Sequence, residues 1–417
     1  MNRNSILILT SLLCLTMLIG GCGSAGRDLM SGIQRTENTS QETGQSTELA
    51  KSLSTFSLRI SQHSASASSS GNMLLSPLSA YFALAMVRNG ANGATADEMS
   101  KTLGMENLTR NDLNAGIRMW LTSLSDSEGK AKLSIANSIW YDEGFSAKQD
   151  FLQTNADHFL ADIRTLDFSI ASAPDVLNGW VKDKTDGKIE SIVDEIGPDV
   201  VMYLINTVWF KADWADPFKS GSTLPAVFHS PSGDIQVPSM HKTALMTSLQ
   251  GRFGDGILLP YTDPRFVFAA ILPADGKTPR DLLASMQADD LAVWMAAGTE
   301  EQISLQIPKF ETEFETELSP VLKEMGMPTA FDAQSADFKA MGSSPHGNVF
   351  ISAVKQKTYC RVDEKGTEAA AATSVEMSTT SMPVNQKELV FDKPFLYGII
   401  DVETGVPLFL GLMEDPG

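Results

Sequence analysis

The chain has 417 residues, with 51 Asp and Glu against 32 Lys and Arg, for a net charge of −19. Such acidity, with no Lys/Arg cluster in view, argues against nucleic acid, anionic membrane surfaces and heparin-like polyanions as partners. Only three cysteines occur, Cys14, Cys22 and Cys360, so stability must come from packing rather than from a disulfide framework.

Residues 1–21 have the form of an export signal: Arg3, an apolar run over 6–19, then Gly20, Gly21 and Cys22. A membrane span would need about 20 apolar residues, and this run is shorter. Ile19-Gly20-Gly21-Cys22 resembles a bacterial lipobox, in which Cys22 becomes the lipidated N-terminus; the alternative is an ordinary signal with an incidental cysteine. Removal of Arg3 and Cys14 with the signal leaves 31 basic against 51 acidic residues, a net charge of −20. With Cys22 acylated, only Cys360 remains and no intrachain disulfide can form. A GxGxxG string, Gly21 to Gly26, precedes no βαβ pattern and is no nucleotide motif. Residues 22–47, rich in Ser, Thr, Gln, Gly and Glu, are expected to be a flexible tether. The body, residues 48–417, shows no second linker of that size and is expected to be one large domain.

Leu49, Leu53, Phe56 and Ile60 recur at helical spacing and predict a first amphipathic helix, followed by a polar loop over 64–71. A second helix follows Pro77, with Tyr81, Phe82, Ala85 and Met86 on its apolar face. Thr95 with Glu98, and Ser146 with Gln149, read as capping boxes ahead of two further helices. Leu177, Trp180, Val181 and Lys184 predict a helix ending near Gly187. Residues 200–214 are apolar on both faces and rich in β-branched and aromatic side chains, as in a strand in the middle of a sheet. Further strands are expected in 265–273, 301–310, 348–362 and 390–412. Cys360 alternates with Thr358 and Val362, which suits a buried structural thiol. Helices dominate early and strands late, without βαβ alternation, so the fold class is α+β.

Residues 364–383, EKGTEAAAATSVEMSTTSMP, alternate with period two. Thr367, Ala369, Ala371, Thr373, Val375 and Met377 share one side, with mostly polar residues on the other. Four consecutive alanines offer little to pack. The segment fits a flexible surface loop, or a strand able to slide into a sheet because small side chains meet few clashes.

Nothing points to catalysis. The five histidines, His63, His158, His229, His241 and His346, form no HExxH, and Cys/His spacing gives no zinc site. No GxSxG, Walker or EF-hand string occurs. The chain is read as no enzyme, with no metal and no cofactor.

The chain resembles the serpins over residues 49–413. The strings that carry the resemblance run in order: NMLLSPLS (72–79), GANGATADEM (90–99), ANSIW (136–140), WVKDKTDGKI (180–189) and NTVWFKADW (206–214). They continue with IPKF (307–310), AFD (330–332), ADF (336–338), DEKGTEAAA (363–371) and FDKPF (391–395). The resemblance implies three β-sheets, eight or nine helices and an exposed reactive-centre loop over about 364–390. It implies a monomeric suicide inhibitor of serine proteases, with cysteine proteases as a second class. In that mechanism the loop is cleaved, an acyl-enzyme forms, and the loop inserts into the central sheet. The 17 residues 364–380 would span roughly 56 Å at about 3.3 Å per residue, enough to carry a protease from pole to pole.

Carried over by motif, the hinge is Glu364, Gly366, Thr367, Glu368, Ala369, Ala370, Ala371 and Ala372. The top of the sheet, where insertion begins, is Trp214 with a Lys309–Glu364 ion pair. The midway polar region is Ser76, Ser79 and Asn206, with Gln356 where the family often has histidine; glutamine keeps the hydrogen-bonding capacity and removes the titration. The reactive bond counts to Thr380–Ser381, with Met377, Thr379 and Met382 as alternatives. No Lys or Arg lies between Lys365 and Lys387, which favours elastase-, chymotrypsin- or subtilisin-like targets over trypsin-like ones. With the lipobox, the resemblance implies a lipid-anchored inhibitor on a bacterial cell envelope. The competing function is a non-inhibitory serpin acting as a carrier or binding protein there.

Overall fold

A computed structural model describes residues 26–36, 47–68, 70–125, 131–367 and 387–417. Among the described residues there are nine α-helices and three sheets. The helices are α1 (Thr47–Ala67), α2 (Pro77–Arg88), α3 (Gly93–Thr102), α4 (Arg110–Ser125), α5 (Gln149–His158), α6 (Ala173–Lys184), α7 (Pro279–Ser285), α8 (Asp290–Ala296) and α9 (Ser319–Glu324).

Helix α1 buries Leu49, Leu53, Phe56 and Ile60 and then runs on to Ala67, through part of the stretch expected to be loop. Its serines explain the difference. Ser57, Ser61 and Ser64 continue the buried stripe, and Ser61 and Ser66 return their hydroxyls to carbonyls four residues back, so the polarity of those two is satisfied within the helix. Neither expected capping box forms. The Thr95 hydroxyl accepts from the Asp337 backbone N–H, and the Glu98 carboxylate accepts from Thr329. Ser146 lies in a two-residue strand ahead of α5. For Thr95 and Glu98 a distant loop competed for the capping groups and won.

The large sheet has seven strands: β1 (Arg27–Asp28), β2 (Ala131–Asp142), β3 (Asp162–Leu166), β4 (Met202–Asp213), β5 (Phe310–Glu317), β6 (Ala353–Val362) and β7 (Gly366–Thr367), in the spatial order β1-β3-β2-β4-β7-β6-β5. Strand β4 is buried along nearly its whole length, as its two-sided apolar sequence requires. It runs antiparallel to β2, with Asn137 opposite Asn206, and parallel to β6, with Gln356 opposite Asn206. The end of the sheet at Asp213 is called upper here, the end at Met202 lower.

A nine-stranded sheet packs behind, and a two-stranded one joins Ser146–Ala147 to Gly342–Ser343. Strand Lys387–Val390 lies parallel to Thr299–Pro308 at one edge of the nine-stranded sheet. Helix α2 is buried all round and packs on both β4 and strand Pro407–Met413, so its start delivers Ser76 and Ser79 to the middle of the large sheet.

The tether reading fails for residues 26–36. Strand β1 pairs with β3, Leu29 is buried, and Met30 and Ile33 pack against the core. Three apolar residues among polar ones were too few to register in composition, but they suffice once a sheet edge is there to receive them.

Candidate functional site

Two polar constellations mark the seam between β4 and β6. The upper one surrounds the start of the alanine-rich segment. Trp214 is 3% exposed and stacks on Tyr261, with ring centroids 4.7 Å apart. Its indole N–H donates to the Asp363 carbonyl at 2.9 Å, and its backbone N–H to Lys365 at 2.7 Å. The Phe218 backbone N–H donates to the Glu364 carbonyl. The Glu364 carboxylate accepts from Lys309 Nζ at 3.0 Å and from the Thr223 hydroxyl at 2.8 Å.

Beyond Glu364 the chain is already in the sheet. Gly366 lies opposite Asp213 and Thr367 opposite Ala212 on β4, and Thr367 also pairs with Val362 on β6. Thr367 is fully buried, with its hydroxyl 2.6 Å from that of Tyr261. A Cβ on Gly366 would sit 2.1 Å from the Ala212 carbonyl oxygen, so no side chain fits there. This corrects the expectation of a loop exposed from residue 364: Glu364 and Lys365 are fastened at the top of the sheet, and Gly366 and Thr367 are built into it. Gly366 and Thr367 enter because the gap between β4 and β6 accepts main chain and a small, partnered side chain at that level.

Partial burial raises the Glu364 pKa, but the hydrogen bonds from Lys309, the backbone and Thr223 outweigh it and leave the carboxyl below its ordinary value. The ionised form is therefore the stabilising one. Its contribution is complete above about pH 4.5 and is lost as pH falls through the lowered folded pKa. Protection of the amides in residues 364–367, relative to their intrinsic exchange rates, should therefore fall below that pH in the wild type, and Glu364→Gln should show lower protection at neutral pH with no such acid step. An acid step of wild-type size in Glu364→Gln would show that another group controls the hinge.

The second constellation lies midway. Asn206 Nδ2 donates to the Ser79 hydroxyl and to Asn137 Oδ1, the latter at 2.6 Å. Gln356 Nε2 donates to Asn206 Oδ1 at 2.8 Å and to the Ser76 carbonyl at 2.9 Å, while its Oε1 accepts from the Ser76 N–H at 3.0 Å. The Ser76 hydroxyl reaches the Leu408 carbonyl in the second sheet. All five residues are buried. Gln356 and Asn206 thus hold β4 and β6 together where they touch directly, with no titratable side chain among the five. Gln356→Ala leaves a buried N–H and a buried amide oxygen unpaired, and should lower stability by about 2–5 kcal/mol, seen in the urea midpoint. An unchanged midpoint would mean that the pair carries no load.

Of the predicted site residues, the structure brings together Trp214, Lys309, Glu364, Gly366 and Thr367 above, and Ser76, Ser79, Asn206 and Gln356 below. Glu368, Ala369, Ala370, Ala371, Ala372, Met377, Thr379, Thr380, Ser381, Met382 and Cys22 lie outside the described residues. Sequence reasoning missed Asn137, Tyr261 and Thr223. Asn137 stands inside the ANSIW string, but its role needs the β2–β4 register. Tyr261 carries no local signal, because it reaches the site through an isolated bridge to Trp214. Cys360 is buried, 2% exposed.

The family described as serpin (serine protease inhibitor) matches residues 51–416. An uncharacterized serpin-like protein of Thermococcus kodakarensis is 32% identical, covering 99% of both chains. The native-state crystal structure of Tengpin, a thermophilic serpin, superposes with a TM-score of 0.88 at 34% identity, covering 94% of this chain and 99% of that one. Its latent-state structure superposes less well, at 0.77 and 32% identity, covering 92% and 100%.

Proposed function

The chain belongs to the serpin family, and from that premise we propose that it is an inhibitory serpin, a suicide substrate for serine proteases without basic-residue specificity. The observation that carries this is β7. Two residues of the alanine-rich segment already occupy the slot between β4 and β6, in a register that can be continued.

Continued residue by residue, that register brings Thr373 between Asn206 and Gln356, and Met377 between Met202 and Ser352. The side shared by Ala369, Ala371, Thr373, Val375 and Met377 is the side on which Thr367 is buried. The Gln356–Asn206 hydrogen bond must open for the strand to pass. The Thr373 hydroxyl arrives there with a donor and an acceptor, so the polar cluster is closed again rather than orphaned. Met377 is the last residue to meet β4, which begins at Met202. A carbonyl at Thr380 then falls just past the lower end of the sheet. That placement favours Thr380–Ser381 over Met377 as the reactive bond, since an acyl link at Met377 would leave the protease pressed against the sheet.

The absence of Lys and Arg between Lys365 and Lys387 supports elastase-, chymotrypsin- or subtilisin-like targets. The lipobox supports acylation of Cys22 and residence on a bacterial envelope. Incubation with a panel of such proteases should give an SDS-stable, hydroxylamine-sensitive complex at near one-to-one stoichiometry, with the new N-terminus at Ser381. If every protease nicks the segment and departs, the inhibitory reading is wrong and the carrier function is preferred.

A further inference from the structure

The segment expected to be tether is fastened to the sheet at a defined place. Arg27 pairs with Thr165 and Asp28 with Arg164, and the Leu29 N–H donates to the Ile163 carbonyl at 2.9 Å. Farther on, Gln153 donates to the Gln34 carbonyl, and Thr36 donates its N–H and its hydroxyl to the Asp157 carboxylate. Between these points Leu29 is buried and Met30 and Ile33 are packed on the core. Backbone pairing, apolar burial and a charged hydrogen bond together hold residues 27–36 as a strap across β3 and α5.

The level of that strap follows from the registers. Thr165 lies beside Tyr141 on β2, and Tyr141 lies beside Met202 on β4, so β1 is at the lower end of the sheet. Gly26, the first described residue, stands beside Leu166, the last residue of β3, at that lower end. Thr367 and the exit of the reactive segment lie at the other end, beside Ala212 and Asp213. Eleven residue steps separate Met202 from Asp213, about 36 Å at about 3.3 Å per residue.

Four peptide steps join Cys22 to Gly26, which span at most about 14 Å. A free tether of residues 23–46 would instead wander over about 27 Å and set no orientation. Resting on the reading of Cys22 as acylated, we propose that the membrane-bound protein stands on its lower pole, with the reactive segment turned away from the lipid. Asp142, Asp167 and Asp199 mark that pole, so the covalent link and the strap, rather than attraction to anionic lipid, set the stance. The insertion proposed above would carry a captured protease toward the bilayer.

The test uses the full acylated chain in phosphatidylcholine vesicles that carry a lipid-linked quencher. Dyes are placed on Asp199→Cys at the lower pole and on Asp216→Cys at the upper. The Asp199 dye should be quenched at least threefold more than the Asp216 dye. Leu29→Asp, or a twelve-residue Gly/Ser insertion between Ser24 and Ala25 that leaves the strap intact, should bring the two toward equality. Equal quenching in the parent chain, with the acyl group on Cys22 verified by mass, overturns the orientation alone. A chain without an acyl group overturns the anchoring reading and the orientation with it.

Discussion

Cutting the chain near Thr380 should raise its thermal midpoint by at least about 5 °C. The increase follows from comparing terms. Insertion of residues 368–377 adds strand hydrogen bonds worth about 0.5–1.5 kcal/mol each, set against about 1–2 kcal/mol per residue of backbone ordering, and the two nearly cancel. Burial of Val375 and Met377 adds about 1.5–3 kcal/mol each. A body of 370 residues has an unfolding entropy of about 0.8 kcal/mol/K, so about 3–6 kcal/mol corresponds to roughly 4–8 °C. Relaxation of the sheet adds to this, because β4 and β6 diverge around β7 above and touch directly below. On the proposed mechanism the intact form is held by a barrier at the Gln356–Asn206 contact rather than by being the most stable arrangement. Calorimetry of intact and nicked protein decides the matter, and a nicked form with the midpoint of the intact one removes the inhibitory mechanism.

On the proposed inhibitory mechanism, Thr367→Arg should turn the protein from a trap into a substrate. Thr367 is fully buried between β4 and β6, and its hydroxyl is matched to Tyr261. A guanidinium in that slot is an unpaired buried charge costing several kcal/mol. The variant should expel β7 and delay insertion after cleavage. Each 1.4 kcal/mol of delay shifts the partition between trapping and release by about tenfold, so the number of inhibitor molecules consumed per protease should rise from near one to more than about ten. Thr367→Ser keeps the hydroxyl and the size, and should stay near one. If Thr367→Arg still traps protease one-to-one, insertion does not begin at β7.

Much of this site was legible in the sequence, because its residues sit in ordered strings that resemble one family. Trp214, Lys309 and Glu364 meet at the top of the sheet, and Ser76, Ser79, Asn206 and Gln356 meet in its middle. Three things were not legible. Asn137 completes the midway cluster only through the β2–β4 register. Tyr261 comes from a remote turn to stack on Trp214. The depth of the hinge depends on how far β4 and β6 part at Asp213 and Val362, a property of two strands 150 residues apart.

By itself the sequence determined the α+β class, the two-sided burial of the central strand, the period-two segment with its small side chains, and the absence of a basic cleavage residue. These are local properties, written in the spacing and chemistry of neighbouring residues. Only the tertiary structure decided that Gly366 and Thr367 already stand in the sheet, that Gln356 locks onto Asn206, and that residues 27–36 are strapped beside the lower end of the sheet. Each of those is a pairing between distant segments, and pairing energy depends on which surfaces the fold brings face to face.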